Sequence, residues 1–145
     1  MKRTLLFPTL ILILPFFFAS TSSAQVHIQL RVIQASNIGT TIDPSLRDVH
    51  DQLGSLFNFT SYRLLRNESL NLSINRPVEI PVHTGRAIEI TLVGQHENKA
   101  EIGIKIKREG INILNTQVRL SPGRTVLIGG PKHGEGVVIF ALSAR

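Results

Sequence analysis

The most unusual chemistry in this sequence lies in a glycine-rich stretch near its C-terminal end. This stretch combines four glycines with a lysine, a histidine and a glutamate; its members are Gly129, Gly130, Pro131, Lys132, His133, Gly134, Glu135 and Gly136. Backbone amides of such a segment can bind an anion beside Lys and His side chains. The Gly-Lys-Ser/Thr order of a phosphate-binding loop is missing, because Pro131 precedes Lys132 and a strand pattern follows. We therefore interpret the stretch as a hairpin connection whose glycines permit positive φ, and as a candidate contact loop.

The histidines do not form a metal-binding motif. No two of them have the close spacings, such as His-x-His or His-x3-His, that are typical of metal ligands; they are His27, His50, His83, His96 and His133. The sequence therefore predicts no metal site and no cofactor.

No catalytic motif is present either. The chain has no cysteine, which excludes thiol catalysis, Cys-ligated metals and disulfides. No serine lies in a Gly-x-Ser-x-Gly elbow, and the two most plausible acids, Glu89 and Glu101, fit exposed strand positions instead of a catalytic carboxylate pair. The sequence predicts a protein that is not an enzyme, with a small hydrolase using Lys132, His133 and Glu135 as an alternative.

The charge distribution argues against nucleic-acid binding. The chain has 16 basic and 10 acidic residues, and without Lys2 and Arg3 the basic ones number 14. They are scattered except for the cluster at residues 105–108, which has acidic neighbours. A nucleic-acid-binding protein normally has a denser basic stripe with aromatic side chains among it.

The first 24 residues have the pattern of a secretory signal peptide. Lys2 and Arg3 precede an apolar run at residues 5–19, and small residues follow up to Ala24. The run is shorter than the ~20 apolar residues of a spanning helix. We predict cleavage after Ala24 and a secreted or periplasmic protein. Because exported eukaryotic domains of this size usually carry disulfides, the lack of cysteine favours a bacterial envelope.

Residues 25–145 are predicted to form a single β domain. Strand patterns cover residues 26–36, 60–66, 68–75, 76–82, 86–93, 99–109, 111–120, 124–128 and 136–143. Short turns separate them, which predicts a mostly β fold, an antiparallel β-sandwich or partly open barrel of about eight or nine strands. The first and last strands are the most apolar and are expected at the centre of a sheet. Alternation in the first strand places Arg31 on a solvent face.

One short helix is predicted at about residues 44–57. Asp43 is a candidate N-cap, and Pro44 suits the first helical position. Apolar residues follow at helical spacing and should pack onto the sheet, while Asp48, His50 and Asp51 should form a solvated face.

Two strand segments resemble the core domain of bacterial secretins, the outer-membrane gate proteins of secretion and pilus systems. Residues 26–36 are similar to the strand that opens that domain, and residues 120–130 are similar to its strand that ends in a Gly-Gly pair. The gate segment that follows this pair in secretins is missing here, so the resemblance implies a soluble relative or a mimic of that sheet. The chain more broadly resembles small exported bacterial β proteins that end in Gly-Gly-Pro-x-His-Gly-x-Gly and an apolar strand, which implies no activity.

These features lead to three hypotheses about function. The favoured one is an exported, non-catalytic binding or assembly module of the bacterial envelope, with another envelope protein as its partner and a secretion or pilus apparatus as one setting. The second is a membrane-associated oligomeric β protein of secretin type, and the third is the small hydrolase. Membrane association is not favoured, and no nucleic-acid partner is expected.

Overall fold

A computed structural model describes residues 24–83 and 85–145 as eight antiparallel strands in two packed sheets. The predicted signal peptide lies outside these residues except for Ala24. The strands are β1 (Val26–Ser36), β2 (Ser61–Leu72), β3 (Val78–His83), β4 (Arg86–His96), β5 (Lys99–Arg108), β6 (Ile111–Leu120), β7 (Thr125–His133) and β8 (Gly136–Ala144). The predicted mostly β fold is confirmed, and of its two variants the structure is the β-sandwich.

One sheet is built from strands near the two ends of the chain, and the other from the strands in its middle. The terminal sheet has the order β2-β1-β8-β7, and the middle sheet has the order β3-β4-β5-β6. The expectation that the first and last strands are central is confirmed, since β1 and β8 pair with each other, as at Leu30 and Leu142. β3 lies at an edge as its prolines predict.

The main core lies between the sheets. Inward-facing side chains alternate along the strands, and those at the centre are fully buried, among them Ile88, Ile90, Ile102, Ile104 and Phe140. Burial of each such side chain contributes roughly 1.5–3 kcal/mol, and this core takes the place of the disulfides that the chain lacks. No helix in the described ranges is both long and apolar enough to cross a membrane.

A second core covers the outer face of the terminal sheet. Leu46, Val49 and Leu53 pack there against Ile33 and Ile139. β1 and β8 are therefore buried on both faces, which explains why they are the most apolar strands of the chain.

Because the segment after β1 packs on this outer face, two expectations from the sequence are wrong. Arg31 does not face solvent: it is 8% exposed, and its two terminal nitrogens each donate to one carboxylate oxygen of Asp48 at 2.8 Å. Asp48 is therefore not simply part of a solvated face. The expectation was wrong because the segment after β1 folds back over that face of the sheet.

The predicted single helix is also divided. A 3-10 helix covers Pro44–Leu46, a turn follows, and α1 covers His50–Leu56. The N-cap prediction is confirmed, because Asp43 Oδ1 accepts a hydrogen bond from the Ser45 backbone amide at 3.0 Å. Tyr62 closes the other end, donating its hydroxyl proton to the Phe57 carbonyl oxygen at 3.1 Å.

Three strands differ clearly from the prediction: β2, β4 and β7. β4 was expected over residues 86–93 but runs from Arg86 to His96. Residues 60–66 and 68–75 were expected as two strands, but residues Ser61–Leu72 form the continuous strand β2. A register shift in its pairing with β1 absorbs the break in alternation. The strand count is therefore eight. The difference at β7 concerns the candidate contact loop.

Candidate functional site

The glycine-rich stretch is not a loop. β7 continues through Gly129, Gly130, Pro131, Lys132 and His133; Gly134 and Glu135 form a tight turn; Gly136 begins β8. The strand character extends to the turn, since Lys132 pairs with Val137 and His133 with Gly136. The predicted contact loop is thus corrected to a strand end and a hairpin turn, although the interpretation as a hairpin connection is confirmed.

Close packing explains why glycines occur inside this strand. A Cβ on Gly130 would lie 2.7 Å from the Phe140 ring, and one on Gly129 would lie 3.3 Å from the Phe57 ring. These glycines therefore make room for aromatic side chains of the two cores. Only Gly134, in the turn, has the positive φ that was expected of the stretch.

The first half of the stretch lines an apolar groove. This groove encloses about 180 Å³ between the edges of the two sheets, and its lining residues are Ile106, Ile113, Leu114, Gly129, Gly130 and Pro131. Ile113 remains 47% exposed and the neighbouring Ile111 69% exposed. Two large apolar side chains on one strand end are thus left without cover.

β6, which forms one wall of the apolar groove, is also the least protected sheet edge. The loop before the helices lies along β2, where Asp43 N donates to Tyr62 O. Arginine side chains bond a carbonyl of β3 at Pro81 and a carbonyl of β7 at Lys132. No side chain in the described ranges bonds the backbone of β6, and residues 111–118 contain neither a charge nor a proline. Of the devices by which natural proteins guard an edge of this length, β6 has one bulge at Ile113 and one charge near its end, Arg119.

The second half of the stretch lines a polar cleft at one end of the sandwich. His83 ends β3 and His133 ends β7, and their rings meet edge to face with centroids 4.7 Å apart. The cleft encloses about 220 Å³ and is lined by His83, Gly85, Arg86, Arg108, Glu109, His133 and Gly134. We call it the His–Arg cleft.

Positive charge is concentrated around His133. Arg86 is held by a hydrogen bond from Nη1 to the Lys132 carbonyl oxygen, and Arg63 donates to Gln34 Oε1 at 2.7 Å. Burial lowers the pKa of His133, and the charges of His83, Arg86 and Arg63 lower it further. In the part of the chain that the structure describes, Arg63, Arg86 and Arg108 form no ion pair. This cleft has an excess of cationic donors.

The sequence reasoning missed the pairing of the two histidines. They are far apart in sequence and belong to different sheets, so no spacing rule could join them. The available indication was that each precedes a glycine at a turn, His83 before Gly85 and His133 before Gly134. In the fold, both turns lie at the same end of the sandwich, where His83 and His133 meet.

The other candidate residues that the sequence suggested lie outside the His–Arg cleft. His27 bonds Asn71 at 2.7 Å on the face of the terminal sheet, and His50 lies 4.0 Å from Asp51. Glu89 pairs with Lys105 and Lys107, and Glu101 pairs with Arg119. Residues 24–83 and 85–145 contain no cluster of three His, Asp or Glu side chains placed to hold a metal.

Comparison with protein-family models, curated proteins and solved structures gives no match to this chain. Its function is therefore inferred from its own residues.

Proposed function

We propose that this protein is an exported, non-catalytic binding or assembly module of the bacterial envelope. Its site is the free edge of β6 together with the apolar groove beside it. The partner is an extended segment of another envelope protein that adds a strand to the middle sheet. The observation that carries this proposal is the edge of β6, whose residues 111–118 carry no charge and no side-chain bond to their backbone in the described part of the chain, whereas each of the other three edges has at least one such covering contact.

The backbone of β6 supplies the affinity. An edge strand presents a row of N–H and C=O groups without partners, and an incoming extended chain can pair with them along its length. β5 already pairs with β6 from Ile111 to Leu120, with one register shift at Ile113, so little order must be gained when a partner binds. A preorganised edge favours binding because less conformational entropy is lost.

The apolar groove supplies the selectivity. Side chains of an added strand alternate between its two faces, and every second one would point towards Ile113, Leu114 and Pro131. A partner segment with apolar residues at alternating positions fits this wall. A segment with charges at those positions would have to desolvate them without a counter-charge, which is unfavourable.

Export and the envelope setting rest on the residue pattern of the N-terminus. A basic start, an apolar run and small residues before Gln25 are typical of a secreted chain, and the lack of cysteine favours a bacterium. Because the two strand segments resemble the secretin core, a secretion or pilus apparatus is the first partner system to test.

Site-specific photo-crosslinking in intact envelopes tests the proposal. A photoreactive residue replaces Asn115, which is exposed on β6, and in a control replaces Asn98, which is exposed in the β4–β5 turn. We expect one discrete crosslinked product from position 115 and none from position 98. The substitution Ile113→Lys should abolish that product, whereas Ile74→Lys, at an isoleucine of nearly the same exposure, should leave it unchanged.

The opposite results would overturn the proposal. Equal crosslinking from both positions would mean that β6 has no special role. A product at position 115 that survives Ile113→Lys would mean that the apolar groove is not part of the contact. Retention of the full-length chain in the cytoplasm, with no mature form beginning at Gln25, would remove the envelope setting.

A further inference from the structure

We propose that the His–Arg cleft is a binding site for a tetrahedral oxyanion, a phosphate or sulfate group. This function is independent of the proposed strand addition, because the cleft and the β6 edge are different surfaces and can be altered separately.

The geometry of the cleft suits such a group. Arginine and histidine side chains line it from four strands: β3, β4, β5 and β7. Donors that converge from several directions match the oxygens of a tetrahedral anion better than those of a planar carboxylate. Guanidinium groups pair with phosphate and sulfate oxygens through two parallel hydrogen bonds.

The donors are also held in place before any anion binds. Arg86 is tied to the Lys132 carbonyl, and Arg63 is tied to Gln34, whose amide nitrogen lies beside Gly134. Each guanidinium keeps further N–H groups that these bonds do not use. Fixed donors lose less side-chain entropy on binding than free surface arginines do.

The balance of charge in the cleft favours an anion over a metal cation. His133 faces His83 from β3, Arg63 from β2 and Arg86 from β4. The turns add Arg108 and Glu109 on one side, and Lys132 and Glu135 on the other. Glu109 is the acid that lines the cleft, and Arg86 and Arg108 line it too. Arg63 lies close enough for its charge to act on His133, so positive charge exceeds negative charge there. A cation would meet repulsion, whereas an anion is attracted.

The histidines make the binding depend on pH. The pKa of His133 is lowered by burial and by neighbouring positive charges. The negative charge of a bound anion offsets the effect of those positive charges. Protonation of His133 is therefore linked to anion binding, and binding strengthens as pH decreases. Sulfate is the right probe because its own charge does not change near neutral pH, whereas that of phosphate does.

The experiment is an NMR titration of the purified protein with sodium sulfate at pH 5.5 and 7.5, with chloride at matched ionic strength as reference. We expect saturable shifts of the His83 and His133 ring signals, and a dissociation constant several-fold lower at pH 5.5. Arg108→Gln should weaken binding roughly 5-fold, as expected for loss of one charge-assisted contact. Glu109→Gln should strengthen it. Arg124→Gln removes the same charge at the opposite end of β7 and should change little.

A second arm separates the possible sources of the group. Vesicles that contain phosphatidic acid are compared with vesicles of phosphatidylcholine alone in a flotation assay. Flotation only with phosphatidic acid, lost in Arg108→Gln, identifies a lipid phosphate; saturable sulfate binding without flotation identifies a free anion or a phosphorylated or sulfated solute. Shifts that do not saturate, or equal effects of Arg108→Gln and Arg124→Gln, overturn the proposal.

Discussion

Gly136 lies where the backbone of β8 passes so close to β1 that no side chain fits. A Cβ at this position would lie 1.8 Å from the Ala35 carbonyl oxygen, and 2.8 Å from the Ala35 carbonyl carbon. Neither atom can move without disturbing the ladder between β1 and β8. The glycine is thus required by contact distance.

We predict that Gly136→Ala lowers the free energy of unfolding by about 3 kcal/mol or more. Urea denaturation followed by circular dichroism measures this. Gly54→Ala is the matched control, because Gly54 lies within α1 with nothing within 4 Å of an added Cβ. It should stabilise the protein by about 0.5–1 kcal/mol, since alanine is the better helix former. Similar effects of the two substitutions would contradict the close approach.

A second prediction concerns the ion pair between Arg31 and Asp48. The two hydrogen bonds from Arg31 lower the pKa of Asp48. A carboxyl group whose pKa is lower in the folded than in the unfolded state stabilises the protein above the unfolded pKa, and the contribution is lost as pH falls through the folded one. Stability should therefore decrease on acidification below about pH 4.

Asp48→Asn should remove that part of the pH dependence and destabilise the protein by about 1–2 kcal/mol at pH 7. The value is modest because the Asp48 side chain is 61% exposed. Asp51→Asn makes the same change of charge at a fully exposed carboxylate nearby. It should alter neither the stability at pH 7 nor its dependence on pH. Equal acid sensitivity of the wild type and Asp48→Asn, measured by urea denaturation at pH 3 and pH 7, would show that the ion pair is not responsible.

At the scale of elements, the helical segment depends on β2 for its C-terminal end. The Tyr62 side chain is 2% exposed, and its hydroxyl group contacts the carbonyl oxygens of Phe57 and Leu53 at 3.1 and 3.4 Å. The Leu53 carbonyl already accepts from the Phe57 amide at 2.9 Å, whereas the Phe57 carbonyl follows α1, where carbonyl groups lack helical partners. A helix of seven residues is not stable alone, so this contact helps to fix it on the sheet.

We predict that Tyr62→Phe costs about 1 kcal/mol and that the loss is local. Hydrogen exchange should accelerate most at the amides of Leu53 and Phe57, whose bonds lie in α1, while amides of β4 and β5 in the middle sheet should change little. Ser55→Ala, at an exposed residue of α1, serves as the control. Uniform acceleration across both sheets would mean that Tyr62 supports the whole domain and not this element.

Element boundaries show where sequence reasoning succeeds and where it fails. Strands that alternate cleanly, such as β5 and β6, were predicted to within one residue because each has one solvated face. The helical region and β7 were not, since tertiary contacts decide them: Arg31 holds Asp48, and Phe140 occupies the space that Gly130 leaves. A local sequence pattern does not indicate contacts between residues that are distant in the chain.

At the scale of the whole molecule, the sandwich could be predicted but its sites could not. The mostly β fold, a strand number of eight or nine, and the central places of β1 and β8 follow from the periodicity and the distribution of apolar residues. The His–Arg cleft and the apolar groove need the order of strands in each sheet, because each joins residues from both sheets. Single-sequence patterns leave that order open.

The topology makes the C-terminal strand indispensable to the whole fold. β8 lies between β1 and β7, so its removal takes away the ladders of two strands. It also contributes side chains to both cores: Phe140 and Leu142 face the middle sheet, while Ile139 and Ala141 face the helical segment. No other strand of the terminal sheet could close the gap without shifting the register of β1.

We therefore predict that truncation after Glu135 abolishes cooperative unfolding and collapses the dispersion of the amide NMR spectrum. Removing Arg145 alone should cost about 1 kcal/mol, since it deletes only an exposed residue that bonds His27 O at 3.0 Å and Gln29 at 2.7 Å. A synthetic peptide of residues 136–145 should restore dispersion to the truncated chain by inserting between β1 and β7, as an added strand does in other β proteins. If the truncated chain keeps a cooperative transition by itself, the two sheets do not depend on β8, and the strand order in the terminal sheet is wrong.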